Sequence, residues 1–306
     1  MAEPAGGADD TAPADAVASL VAALGGTGYV ADRELALVLH LAEVLELPVL
    51  LEGEPGVGKT AVAEALAAAT GARLVRLQCY EGLAAHHALY EWDYARQLLA
   101  IRMAEARGPV GEELRAEVFS PDFLLRRPLL EAIDPQDDRP VVLLVDEVDR
   151  ADQEFEALLL EVLGQFQVTV PELGTIVATR RPRVVLTANR TRALSDALRR
   201  RCLYHWLPYP TTDREVRIVE ALVPGASEEL VRRACALVAQ VRASGYRKTP
   251  GVSETVDWVR ALTALDGSLD ADTVHGTAGC LVKDAADLAR FRAGDGARLL
   301  RAVGGG

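Results

Sequence analysis

Gly53-Glu54-Pro55-Gly56-Val57-Gly58-Lys59-Thr60 stands between the apolar run Leu47-Pro48-Val49-Leu50-Leu51-Glu52 and an alanine-rich segment that starts at Ala61. The order reads as strand, loop and helix. The spacing Gly-x4-Gly-Lys-Thr turns successive backbone N–H groups inward and sets the positive end of the following helix against an anion. Lys59 is then positioned for the β- and γ-phosphates of a nucleotide, and Thr60 for a Mg²⁺ ion. Glu54, Pro55, Gly56, Val57, Gly58, Lys59, Thr60 and Ala61 form the candidate nucleotide-binding set. The chain has only three lysines, Lys59, Lys248 and Lys283, so a lysine at this spacing carries weight.

Outward from the loop, a second signal lies at Val141-Val142-Leu143-Leu144-Val145, which runs straight into Asp146-Glu147. Five consecutive apolar residues mark a central parallel strand buried on both faces, and acids at its carboxyl end sit where α/β sheets bind ligands. Asp146 is the candidate partner of Thr60 at the metal, and Glu147 the candidate group that polarises an attacking water. A strand over 183–187 ends in Ala188-Asn189, whose neutral amide can orient water without adding negative charge. Between these strands, 167–170 and 175–178 flank Pro171-Glu172-Leu173-Gly174 and read as a β-hairpin. Asp196-Ala197-Leu198-Arg199-Arg200-Arg201-Cys202 precedes a fifth strand over 203–207. Three adjacent arginines cannot all face one way on a helix, so at least one reaches outward, where it can stabilise charge in a neighbouring subunit.

Flanking segments set the organisation. Residues 1–27 are expected to be a disordered leader, on the Ala, Gly, Pro and Asp content of the first 16 or so. A helix is expected from Asp32 to before Pro48, and an insert over 80–107, less regular at first and then helical through Tyr94, Leu98 and Ile101, carries Tyr90-Glu91-Trp92-Asp93-Tyr94. Aromatics there pack an insert onto a core or face a partner. Beyond Pro208 and Pro210 the pattern is helical throughout, with segments at 216–222, from Ser227 through Val241, 253–265 and 277–291. Domains follow as an α/β nucleotide-binding unit over 28–208 and a helical lid over 209–303.

A net charge of −12 and a pI near 5.0 rank nucleic acid low as a partner. Cys79, Cys202, Cys235 and Cys280 show no C-x-x-C spacing, which leaves them as reduced core thiols. No basic n-region with an apolar segment opens the chain, and no apolar stretch is long enough to span a bilayer, so a cytoplasmic location is expected.

Taken together, GEPGVGKT at 53–60, LLVDEVD at 143–149, LTANR at 186–190 and DALRRRC at 196–202 resemble the AAA+ ATPases, and in detail the MoxR family, over roughly residues 28–265. The chain is also similar to the branch associated with carbon monoxide dehydrogenase maturation. The resemblance implies an AAA+ P-loop NTPase core with a parallel five-stranded sheet and a small all-helical lid. It implies an ATPase with ATP and Mg²⁺ as cofactors, a homo-oligomeric ring, commonly a hexamer, and a partner with a von Willebrand factor A domain. Gly58, Lys59 and Thr60 then hold phosphate and metal, Asp146 and Glu147 are the hydrolytic pair, Asn189 is the first sensor, and Arg200 or Arg201 is the finger. Where the family often has a second-sensor arginine this chain has Thr255, leaving Lys248 or Arg260 as substitutes. The role expected is remodelling or maturation of a client protein. Its alternatives are a nucleotide-regulated binding module and, lower still, a small-molecule kinase.

Overall fold

The computed structural model describes residues 13–106 and 112–304. Five parallel strands form the central sheet: β1 (Val49–Gly53), β2 (Arg73–Gln78), β5 (Val141–Asp146), β8 (Arg183–Ala188) and β9 (Leu203–Leu207), in the order β2-β5-β8-β1-β9. Two antiparallel pairs stand apart, β3 (Tyr90–Trp92) with β4 (Leu124–Arg126) and β6 (Gln167–Val170) with β7 (Gly174–Val177).

Strand alternation divides the core. Leu143 and Val145 of β5 point to one sheet face, against Phe155 and Leu159 of the helix Gln153–Gln165 and the buried Leu129 and Leu130. Val142 and Leu144 point to the other, against α3 (Lys59–Ala69) and α2 (Arg33–Leu45) through Val62, Leu66, Leu35 and Leu39. All six residues of β5 are buried, as a strand covered on both faces requires. Register then brings the functional ends level, pairing Gln78 with Asp146, Leu51 with Thr187 and Glu52 with Ala188.

The leader expectation fails over part of its length. Residues 1–12 lie outside the described residues, but Pro13–Gly26 is a helix, α1, packed on α2 and α3. Val17, Leu20 and Leu24 recur at helical spacing, and Leu24 is fully buried.

Within the insert, Trp92 is buried edge-on to Phe119 at 5.3 Å, whereas Tyr94 is exposed. The lid, from Thr212 onward, has a core of its own around Trp258, whose Nε1 donates to Thr277 Oγ1 at 2.8 Å. Buried Glu215 is bidentate to Arg242 (2.6 and 2.8 Å) and accepts from Thr255 Oγ1 at 2.6 Å, so Thr255 faces the lid interior. The single helix expected over 277–291 is two, Ala271–Leu281 and Ala285–Arg290. Asp284 breaks it by accepting from the backbone of Ala286 and Asp287 and starting the second. Among the described residues no helix is long and apolar enough to cross a membrane.

Candidate active site

A cavity of about 1020 Å³ opens at the carboxyl ends of the strands, where core, lid and the segment after α1 meet. That is the upper end of the range for ligand sites. The loop that forms its floor uses glycine where backbone demands it: Gly56 (φ 76°) and Gly58 (φ 95°) adopt left-handed conformations. Gly56 also touches the lid, its carbonyl accepting from Val252 N at 2.8 Å.

Lys59 is buried and its Nζ donates to the carbonyls of Gly53 and Glu54, both at 2.8 Å. Burial holds its pKa below the usual lysine value, against the pull of Asp149, Glu54, Asp146 and Glu147. Thr60 Oγ1 lies 3.1 Å from Asp146 Oδ1, which also accepts from Thr187 Oγ1 at 2.6 Å. Asp146 Oδ2 accepts from Arg76 at 2.5 Å. Two hard oxygen groups side by side at a phosphate loop fit a magnesium ion, which prefers carboxylate, hydroxyl and phosphate oxygens.

Glu147 takes a left-handed backbone conformation (φ 54°), unusual for a residue with a Cβ. Its surroundings fix it there. Its N–H donates to Thr187 Oγ1 at 2.9 Å, Oε1 accepts from Asn189 Nδ2 at 3.2 Å, and Oε2 accepts from Gln78 Nε2 and Arg150, both at 3.1 Å. Asn189 is positioned in turn by buried Asp149, whose Oδ2 accepts from the N–H groups of Asn189 (3.1 Å) and Thr191 (2.7 Å). Beneath the site Cys79 is buried, and that burial, with the nearby acids, pushes its thiol up to about 12.

The structure thus brings Pro55 through Ala61, Asp146, Glu147 and Asn189 around one cavity. Glu54 contributes its carbonyl to Lys59 rather than a wall. Arg200 and Arg201 do not reach the cavity of their own chain. Arg199 pairs with buried Glu52, Arg201 donates to Leu160 O at 2.6 Å, and Arg200 is exposed with no side-chain partner among the described residues. Of the two cations expected as second-sensor substitutes, Arg260 walls the cavity and Lys248 does not. Sequence reasoning missed Arg76, Gln78, Thr187, Asp149 and Arg150. Alternation along β2 could have shown that residues 76 and 78 share a face.

The sheet order, the phosphate loop, the acidic strand tip and the helical lid define an AAA+ P-loop NTPase fold. Residues 48–202 match the AAA domain of the dynein-related subfamily, and the chain belongs to that family. Solved structures of RuvB from Thermotoga maritima are similar. One, described as a Holliday junction branch migration motor, is 17% identical with a TM-score of 0.46, the match covering 84% of this chain and 69% of that one. An arginine-to-alanine variant is 18% identical (TM-score 0.48; 84% and 69%), as is a proline-to-glycine variant (0.47; 80% and 67%). No curated protein matches the chain.

Proposed function

We propose that the chain binds ATP with Mg²⁺ and hydrolyses it to ADP and phosphate, in a ring of identical subunits, commonly a hexamer, that remodels or matures a partner protein. The observation that carries this reading is Glu147, held by Asn189 beside the adjacent Thr60 and Asp146. In this account Lys59 turns from the loop carbonyls to the β- and γ-phosphates, and Thr60 and Asp146 hold the metal. The ion, when bound, draws charge from the phosphate oxygens. Glu147 takes a proton from the attacking water while Asn189 fixes that water's orientation. Arg200, exposed and with no side-chain partner among the described residues, is the group best placed to serve a neighbouring copy. Arg260 is the better lid substitute for the second sensor, because it alone of the two candidates walls the cavity. The MoxR resemblance supports a partner with a von Willebrand factor A domain, and the maturation of a metalloenzyme is one form the client takes.

ATP turnover measured against protein concentration tests this. Specific activity should rise with concentration, and Arg200→Ala should lower kcat about a hundredfold or more while nucleotide still binds. Turnover independent of concentration and untouched in Arg200→Ala would reject a shared site. A second reading, a nucleotide-regulated binding module, draws on the three donors that already occupy the Glu147 carboxylate. Glu147→Gln separates the two. A switch that needs only bound ATP keeps its partner function in that variant, whereas a motor stalls with partner trapped.

A further inference from the structure

Asp146 has almost no exposed surface, and an ionised carboxylate in such a place requires an opposite charge. Lys59 does not supply it by contact, because its ammonium is committed to the Gly53 and Glu54 carbonyls. Among the described residues Arg76 is the one cation that touches Asp146, at 2.5 Å. It comes from β2, the edge strand of the sheet, and 49% of its side chain is exposed, which leaves it room to swing away.

The same guanidinium nitrogen also donates to Gln78 Oε1 at 3.0 Å. That contact fixes the amide: its oxygen meets the guanidinium, so its nitrogen must face Glu147, where it donates at 3.1 Å. A continuous chain therefore runs Asp146, Arg76, Gln78, Glu147. One end is the carboxylate suited to a metal and the other is the candidate base.

We propose that Arg76 is the counter-ion that a magnesium ion displaces from Asp146. This rests on the Mg·ATP reading above. A dication and a guanidinium cannot share one buried carboxylate without strong repulsion, so metal arrival expels Arg76. Arg76 acts here as a positioning residue.

The test uses the full chain and a ribose-labelled fluorescent ATP analogue, bound first in EDTA and then titrated with Mg²⁺. Arg76→Ala and Arg76→Gln remove the competing cation, so the Mg²⁺ concentration at half-effect should fall about three- to tenfold in both. Gln78→Ala, which removes one contact of the Arg76 guanidinium and leaves its charge, should shift the midpoint by less than either Arg76 variant. Midpoints in both Arg76 variants that equal or exceed wild type overturn the proposal, as does a Gln78→Ala shift as large as that of Arg76→Ala, which would signal general loosening. Arg76→Gln, which keeps a polar side chain of similar reach, carries the test if Arg76→Ala does not fold. A wild-type chain that binds no nucleotide with or without Mg²⁺ fails the ATP reading itself. Nucleotide binding that Mg²⁺ tightens equally in wild type and variants fails only the role of Arg76.

Discussion

Lys59 carries its charge in a place that the resting fold disfavours. Its pKa is lowered by burial, so the folded chain disfavours the ammonium relative to water. Fewer protons are bound folded than unfolded only between the lowered value and 10.5, so stability rises with pH in that window and the penalty is complete below it. At neutral pH Lys59→Met removes the penalty but also two hydrogen bonds. Nucleotide binding should weaken about a hundredfold, while melting of the nucleotide-free chain, followed by calorimetry, should stay within about 3 °C or rise. Residues such as Lys59, Thr60, Asp146 and Glu147 were legible because their chemistry depends on near neighbours in sequence. Arg76 and Gln78 were not. Alternation says that the two share a face of β2, but which face, and opposite which acid, is fixed only by the β2–β5 register.

At the scale of elements, α1 is the clearest departure from expectation. Alanine, glycine and proline dominate the residues before it, and that composition hid the helical spacing of Val17, Leu20 and Leu24. Leu24 lies in the same apolar cluster as Val62 and Leu66 of α3, the helix that begins at Lys59. Leu24→Ala should destabilise the chain by about 2–5 kcal/mol, read as a lower urea midpoint with an unchanged slope. A loss under about 0.5 kcal/mol would mean that α1 does not pack on α3 in solution. The strands of the sheet were legible for the opposite reason: runs such as 141–145 are apolar on both faces and have no other place to go. The break at Asp284 was hidden because its capping role depends on the backbone of Ala286 and Asp287.

The whole molecule closes around its cavity through contacts distant in sequence. Arg214 of the lid helix Thr212–Leu222 donates to Val30 O at 3.0 and 3.2 Å and to Asp32 Oδ2 at 2.5 Å, tying the lid to the segment between α1 and α2. Arg214→Ala should leave the phosphate loop intact yet weaken nucleotide binding about three- to tenfold, measured by titration calorimetry, because the lid loses a charge-assisted anchor. Unchanged affinity would show that lid position does not depend on this link.

The matched stretch 48–202 holds the phosphate loop and both acids, but Gly28, Tyr29 and Val30 precede it, and Arg214, Ser253 and Arg260 follow it. A clone trimmed to that stretch would encode the phosphate loop and both acids without the full wall of the cavity. The boundaries at which this protein can be excised are set by the shape of a hollow whose lining runs from Thr27 to Arg260.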